Sequence, residues 1–385
     1  MENIPQNENF QNNPILETPP AVVQNIVPEK PKRKLWKKIL IWFFAVVLVL
    51  IVLFYSLPHI LGLFYKDISS VNDSDLRITP EVVAKADNAY FDYLKLNGKV
   101  VSSVGSQDIT AFLAGADWDQ NFVDVILNQN LPALQSFAES VHKPKYQDPA
   151  ISDIDNLTAE TVTFPLGDVG KISKITSVLS ANLARSGNLS EALAVAFEIT
   201  DTGDKIEKSN GDLLNILSGI AIKQIGLERI QRLIKSPGVS PEAVSIYRSK
   251  LESYRNNKES IANAMKVEYI SQTNTISKSI NDAVIKAGID PAKLRNNFYY
   301  QPNNTKLLLA ESMRKNIAYS KLTCDQLKEI KEPERKKISP LSLYIKPNAV
   351  GLILDQIMSV SLISPYLKDC DQEKLITDLE SNLVT

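Results

Sequence analysis

The chain has 385 residues, and its 43 Lys and Arg nearly balance its 44 Asp and Glu, for a formal net charge of −1. This balance offers no basic field for a phosphate backbone, so we predict no nucleic-acid partner. Two cysteines exclude a disulfide-dense secreted scaffold. The only histidines, His59 and His142, are too few for a histidine-based zinc site.

The first 38 residues are polar and end in a basic cluster. Six of the twenty prolines fall within residues 1–31, a stretch without glycine that is rich in Asn, Gln and Glu. Such a composition cannot bury enough apolar surface to offset the entropy lost on ordering. We therefore predict a disordered cytoplasmic tail over residues 1–38.

Residues 39–65 are predicted to form a single transmembrane helix. An apolar run extends from Ile39 to Tyr55, and uncharged residues continue to Tyr65. About 20 residues at ~1.5 Å rise cross a ~30 Å hydrocarbon layer. The run is too long, and too far from the N-terminus, for an ordinary cleaved signal peptide, so we favour an uncleaved signal anchor. A buried core helix, the other alternative, is seldom apolar on every face for this length.

The distribution of Lys and Arg predicts the orientation of this helix. Six of these residues lie within 30–38, whereas Lys66 and Arg77 are the only two soon after the span. The side richer in positive charge normally stays in the cytoplasm. We therefore predict a single-pass protein of the inner (cytoplasmic) membrane, with the lipid bilayer as one partner and residues 66–385 extracytoplasmic.

Apolar residues after the span recur at helical spacing, which predicts a mainly α fold: an irregular α-helical bundle with helical hairpins. Two subdomains, about 72–165 and 166–385, are possible at this length. Gly187-Asn188 and Asn210-Gly211 divide residues 171–237 into three consecutive helices, of which Asp212–Ile234 is predicted to be central. A short extended piece is expected at TVTF, residues 161–164. Further helices are predicted at Thr79–Gly98, Gln107–Leu113, Trp118–Leu127, Pro132–Val141, Pro241–Tyr254, Glu259–Lys286, Lys306–Leu322 and Pro347–Ile363.

The segment ANLARSGNLSEALAVAF, residues 181–197, has the pattern of a tetratricopeptide-type hairpin. Gly187 permits a tight turn, and Ala192 lets the two helices approach closely. A repeat array needs about three stacked units of ~34 residues, and no second copy occurs at that offset. We favour an isolated hairpin over a peptide-binding repeat array.

The longer pattern LARSGNLSEALAVAFEI, NGDLLNILSGIAIKQIGLERIQRLI, FYYQPNNTKLLLAES, KPNAVGLILDQI and SPYL resembles that of a loose set of membrane-anchored bacterial proteins. Members of that set carry an N-terminal span and a helical outer domain of no assigned activity. The resemblance runs roughly from Ile172 to Leu379. It implies a helical protein of the bacterial cell envelope and carries over no functional residues.

Two acidic residues, Asp117 and Asp119 in GADWDQ, are the clearest candidates for a carboxylate pair in glycan hydrolysis. Residues two apart on a helix point to different faces, so we favour a helix N-cap with a second acid near the helix dipole. A catalytic Ser–Lys pair is a second alternative, because its two residues must be close in the fold and can be far apart in the sequence. We predict no catalytic residue, no cofactor and no metal site.

Cys324 and Cys370 are predicted to follow two antiparallel helices, which would allow a disulfide between them. Two free thiols packed as small apolar groups are the alternative.

The predicted function is a binding or assembly module of the cell envelope, whose polypeptide partner, an envelope protein or peptide, meets an apolar groove between helices. The alternative is a membrane-anchored envelope hydrolase that uses carboxylates or a Ser–Lys pair. Convergent carboxylates with perturbed pKa values in an open cleft would favour the hydrolase.

Overall fold

The computed structural model describes residues 33–105, 107–113, 117–161, 166–236, 247–255, 257–290, 297–331, 338–358 and 362–382. Residues 1–32 of the predicted tail, 162–164 of the predicted extended piece and 241–246 of the predicted Pro241–Tyr254 helix lie outside these ranges.

The described chain is mainly helical, as its apolar spacing predicts. A two-stranded antiparallel sheet, β1 (Ser103–Val104) and β2 (Gln107–Asp108), pairs Ser103 with Asp108. The α-helices are α1 (Arg33–Phe64), α2 (Tyr90–Leu94), α3 (Ile109–Leu113), α4 (Gln120–Gln129), α5 (Leu131–Val141), α6 (Leu166–Arg185), α7 (Leu189–Glu207), α8 (Leu213–Ile234), α9 (Arg248–Ser253), α10 (Lys258–Lys286), α11 (Pro302–Ala318), α12 (Cys324–Glu329), α13 (Pro340–Ile345), α14 (Ala349–Met358) and α15 (Ile363–Asn382).

Helix α1 contains the predicted membrane span. Its 25-residue portion Leu40–Phe64 is long and apolar enough to cross a membrane, and none of its most apolar window is buried. The chain divides into two compact units inside this helix, Met1–Ser56 and Leu57–Thr385. The predicted division into subdomains near residue 165 stays a prediction.

A second stretch, Ala349–Ser381, passes the same test of length and composition, but 27% of its window is buried. It joins the apolar helix α14 to α15, across residues that are not described. Tyr366 and Ile376 of α15 are fully buried, and the Gln372 amide donates a hydrogen bond to the Ile220 carbonyl in α8 at 2.6 Å. We therefore interpret α15 as a core helix.

Three large groups of buried apolar side chains, and a small fourth one of Ile151, Leu157 and Val267, hold the unit Leu57–Thr385 together. The first joins residues 89–146 to α6, α7 and α8, and the second joins α8 to α10, α11 and α15. The third lies among α7, α8, α9 and α15, around Phe197. Helix α8 contributes to all three large groups, which confirms the predicted central position of the Asp212–Ile234 helix.

The backbones of α7 and α8 touch at three glycines. A Cβ atom at Gly203 would lie 2.6 Å from the Gly219 carbonyl oxygen, and one at Gly219 would lie 2.5 Å from the Glu207 nitrogen. At Gly226 a Cβ would lie 2.7 Å from the Thr200 nitrogen. These distances leave no room for a side chain, so the contact depends on glycine at each position.

The predicted helix Thr79–Gly98 is wrong over its first half, where only a 3₁₀ turn, Lys85–Asp87, precedes α2. Asn88 explains the difference. Its Oδ1 accepts hydrogen bonds from the backbone of Tyr90 and Gln147, and its amide donates to the Gln147 carbonyl at 2.8 Å. A distant segment therefore competes for the groups that a helix would have used.

The predicted helix Pro347–Ile363 is present in part, as α14 (Ala349–Met358). Asn348, with a positive φ of 56°, separates α13 from α14 and delays the start of this helix by two residues. Its Oδ1 accepts hydrogen bonds from the Gln301 backbone (3.0 Å) and the Thr305 hydroxyl (2.9 Å). The predicted Lys306–Leu322 helix begins four residues early, at Pro302. The Asp67 carboxylate accepts from the backbone N–H groups of Asn303 and Asn304, which stabilises this earlier start.

Candidate functional site

A basic cleft opens beside the turn of the α6–α7 hairpin. Gly187 makes this turn with a φ of 85°, in the left-handed region that glycine adopts without strain. The cleft has a volume of about 570 Å³. Its lining, which we call the arginine cleft, consists of Phe112, Leu113, Trp118, Ser177, Ala181, Ala184, Arg185, Gly187, Leu189, Arg229, Arg232 and Ser236.

Two of the three arginines of the cleft are held by side-chain contacts. The Arg185 guanidinium lies over the Trp118 ring, 4.8 Å from its centroid. Arg229 is half-buried, and its Nε donates a hydrogen bond to the Ser180 hydroxyl at 3.1 Å. Burial, with the neighbouring Arg232, lowers the pKa of Arg229 to about 10, so it stays charged at neutral pH. Within the described ranges, none of the three forms an ion pair.

A smaller cavity of about 310 Å³ continues from the arginine cleft and shares Leu113, Ser177, Arg229 and Arg232 with it. It adds Lys174, whose Nζ donates a hydrogen bond to the Thr110 hydroxyl at 3.0 Å. Its single acid, Glu228, accepts a hydrogen bond from Gln224. The combined wall is therefore basic.

Aromatic side chains form the other part of the wall. The Phe112 and Trp118 rings lie 5.5 Å apart between centroids, and Phe112 also packs on Phe122 at 5.0 Å. A guanidinium fork recognises a carboxylate or phosphate through two parallel hydrogen bonds. The cleft can thus hold an anionic group beside an apolar one.

The acidic pair singled out in the sequence has a structural role at Asp119. Its Oδ1 accepts a hydrogen bond from the Phe122 backbone at 3.1 Å and caps the N-terminus of α4. Its Oδ2 accepts from the Gln107 amide at 3.4 Å. Asp117 is exposed.

A separate cluster of charged groups is enclosed between α7, α8 and α15. Lys223 and Glu207 are both fully buried and form an ion pair, and Asp204 Oδ1 lies 3.8 Å from the Lys223 ammonium. Burial raises the pKa of Glu207 to about 7, against the opposing effect of Lys223, and that of Asp369 to about 6. Enclosed groups of this kind cannot reach a substrate, so we interpret the cluster as structural.

The buried carboxyl groups predict how stability varies with pH. Burial also raises the pKa of Asp148 to about 6 and that of Glu268 to about 7. Unfolded, all four groups ionise near pH 4, so between about pH 4 and 7 the native state binds more protons than the unfolded state. Stability should fall across this window and level off above about pH 7. We expect a higher melting temperature at pH 5 than at pH 8, at constant ionic strength in detergent.

The variant Glu268→Gln should reduce this pH dependence, whereas Glu311→Gln, at an exposed position, should leave it unchanged. The hydrogen bond from Arg314 lowers the pKa of Asp75, and this shift changes stability only below about pH 4, outside the window tested. A melting temperature that rises steadily from pH 5 to pH 8 would contradict this assignment.

The structure joins Cys324 to Cys370, with Cα atoms 5.7 Å apart. Cys324 was predicted to follow the Lys306–Leu322 helix, but it is the first residue of the separate helix α12. Cys370 lies inside α15, a helix that was not predicted. Glu373 Oε2 lies 3.6 Å from the Cys324 sulfur.

Comparisons with known protein families, curated proteins and solved structures give no match to this chain. What the chain does is therefore inferred from its own residues.

None of the three arginines of the cleft was predicted from the sequence. Arg185 in α6 and Arg229 in α8 are 44 residues apart in the chain. In the sequence, each arginine has the pattern of an ordinary charged residue on a solvent-exposed helix face. Only the Gly187 turn, already recognised as part of a hairpin, indicated where the cleft would form.

Proposed function

We propose that this chain is a single-pass protein of the bacterial inner membrane whose extracytoplasmic domain binds an acidic segment of a polypeptide partner in the arginine cleft. The observation that carries the proposal is the set of three arginines that form no ion pair with any described residue, beside Trp118 and Phe112. This assignment keeps the predicted binding role but replaces an apolar groove by a basic one.

Energetic considerations support a peptide ligand. A hydrogen bond to a charged group contributes about 1.5–3 kcal/mol, and Arg229 loses part of its hydration in the cleft whether or not an anion is bound. An incoming carboxylate would satisfy its remaining N–H groups. A volume of about 570 Å³ accommodates two or three side chains, and the aromatic wall suits an apolar residue next to the acid.

The test uses the full chain in detergent and a fluorescent peptide of alternating Asp and Leu, read by anisotropy. We expect this peptide to bind at least tenfold more tightly than the matched Asn and Leu peptide, because only a carboxylate pairs with the arginines. Arg229→Gln should weaken binding of the acidic peptide at least tenfold. Lys315→Gln, which removes the same charge at an exposed position of α11, should not.

Equal binding of the two peptides, or full affinity in Arg229→Gln, would contradict the proposed function. A weakening by Lys315→Gln equal to that by Arg229→Gln would show that only overall charge matters.

The proposed orientation rests on the excess of Lys and Arg before the span, and it places both cysteines in an oxidising compartment. We therefore expect the disulfide in protein taken directly from cells. Denatured, unreduced chains should take up no maleimide mass tag, and reduced chains should take up two. Two tags before reduction would contradict both the bridge and its compartment; a Cys324→Ser, Cys370→Ser control should take up none after reduction.

The hydrolase alternative has less support. It needs carboxylates or a Ser–Lys pair that converge in an open cleft, whereas Glu207 and Asp369, with raised pKa values, are enclosed in the core. The hydroxyl–lysine contact in the smaller cavity, Lys174 to Thr110, has no carboxylate partner in the described residues.

A further inference from the structure

The chain is held firmly where it leaves the predicted span. Pro58, inside α1, is buried, and a Cβ atom at Gly62 would lie 3.5 Å from the Phe298 side chain. The Tyr65 and Phe298 rings meet edge to face, 6.2 Å apart between centroids. The Gln301 amide donates a hydrogen bond to the Tyr65 carbonyl at 2.9 Å. Phe298 therefore lies beside the last two turns of the apolar helix.

Helices α13 and α14 lie next to Phe298 and Tyr299, and they expose large apolar side chains. The exposed fractions are 65% for Leu341 and 46% for Ile345, one turn apart on α13. On α14 they are 37% for Val350, 38% for Ile353 and 66% for Ile357, at the i, i+3, i+7 spacing of one helix face. We call these five residues the apolar face.

Direct contacts connect the apolar face to the end of the span. The Asn348 N–H donates to the Phe298 carbonyl at 2.8 Å, and the Val350 N–H donates to the Tyr299 carbonyl at 2.9 Å. The Tyr299 and Tyr344 rings lie 6.3 Å apart between centroids. Val350 is therefore connected to Gly62 through only two residues, Phe298 and Tyr299.

We propose that the apolar face rests on the lipid bilayer, in the boundary between headgroups and acyl chains of the leaflet where the span ends. Contact with Gly62 puts Phe298 at the depth of the last apolar residues of α1, and the apolar face continues from that point. Tyr299 and Tyr344 are the amphipathic residues that favour this interface. The site is distinct from the arginine cleft, so it rests on the membrane anchoring in the proposed function but not on the binding of a peptide.

Burial in lipid also accounts for the composition of α14. Its sequence AVGLILDQIM is apolar enough to contribute to the second membrane-length stretch, yet it is only ten residues long and cannot cross a bilayer. A short apolar helix that lies in the plane of the interface has this combination of properties.

The test places a nitroxide label on the full chain in phosphatidylcholine vesicles. The label is attached to the variants Ile353→Cys and Ile357→Cys. The control is Val82→Cys, because Val82 is 81% exposed. Collision rates are measured with oxygen, which partitions into lipid, and with a water-soluble nickel complex. The unsubstituted chain, treated in the same way, is the blank.

At positions 353 and 357 we expect oxygen collisions to exceed nickel collisions several-fold, with the reverse at position 82. Nickel accessibility at 353 and 357 equal to that at 82 would overturn the proposal, because the face would then be in water. Protection from both reagents would also overturn it, since a protein partner or a second copy would then cover the face.

Discussion

Gly203→Ala is expected to destabilise the protein by about 3 kcal/mol, near the upper end for overpacking a core. The added methyl group would meet the Gly219 carbonyl oxygen at 2.6 Å, and backbone of a packed helix cannot move aside as a flexible side chain can. Helices α7 and α8 would have to separate, and all three large groups of buried side chains share α8. Denaturant unfolding of the full chain in detergent measures the loss.

Gly170→Ala is the matched control for this prediction. Gly170 lies inside α6, and a Cβ atom there would meet nothing within 4 Å. Ala should stabilise this helix by about 0.5–1 kcal/mol, because glycine has the larger conformational entropy to lose. Equal stability changes at the two positions would show that the close contact at Gly203 does not limit packing.

Glu207→Ala is expected to cost about 3–5 kcal/mol, the range for removing one partner of a buried ion pair. Lys223 is fully buried and would lose its closest acid, leaving Asp204 3.8 Å away. Glu311→Ala, on the exposed surface of α11, should change stability by no more than about 0.5 kcal/mol. Thermal or denaturant unfolding in detergent measures both variants.

The double variant Glu207→Leu, Lys223→Met separates the cost of an unpaired charge from the cost of lost volume. Replacing a buried pair by apolar residues of similar size is often neutral or stabilising. We therefore expect the double variant to be much more stable than Glu207→Ala. If both were equally destabilised, the enclosed charges themselves would be required for packing.

Local sequence signals predicted the long helices and their breaks well. The turn at Gly187, the break at Asn210-Gly211 and the run of apolar residues in α8 depend on neighbours in the chain, and the structure has each of them. The predicted central position of α8 is confirmed, but the residues that pack against its neighbours differ from those expected. Leu214 is 52% exposed and Leu217 is only partly buried, whereas Gly219 and Lys223 lie at the contact with α7.

What the sequence could not predict depends on residues far apart in the chain. Helix α15 was missed because its charged residues obscure its apolar spacing, although Tyr366 and Leu379 are fully buried. Asn88 and Asn348 lie just before α2 and α14, and they delay the start of the predicted helices through hydrogen bonds to segments 59 and 47 residues away. The arginine cleft likewise assembles from four separate parts of the chain, none of which carries a motif.

The glycine contact between α7 and α8 has a consequence for how a ligand would be received. Gly226 lies one turn before Arg229 on α8. Its contact with α7 therefore fixes the position of Arg229 along the helix axis relative to the hairpin turn at Gly187. If α8 slid along α7, larger side chains would move into the positions that the glycines now occupy, where they would clash with backbone. The cleft therefore cannot widen by this movement. A partner should therefore meet a preformed site and lose little affinity to its reorganisation.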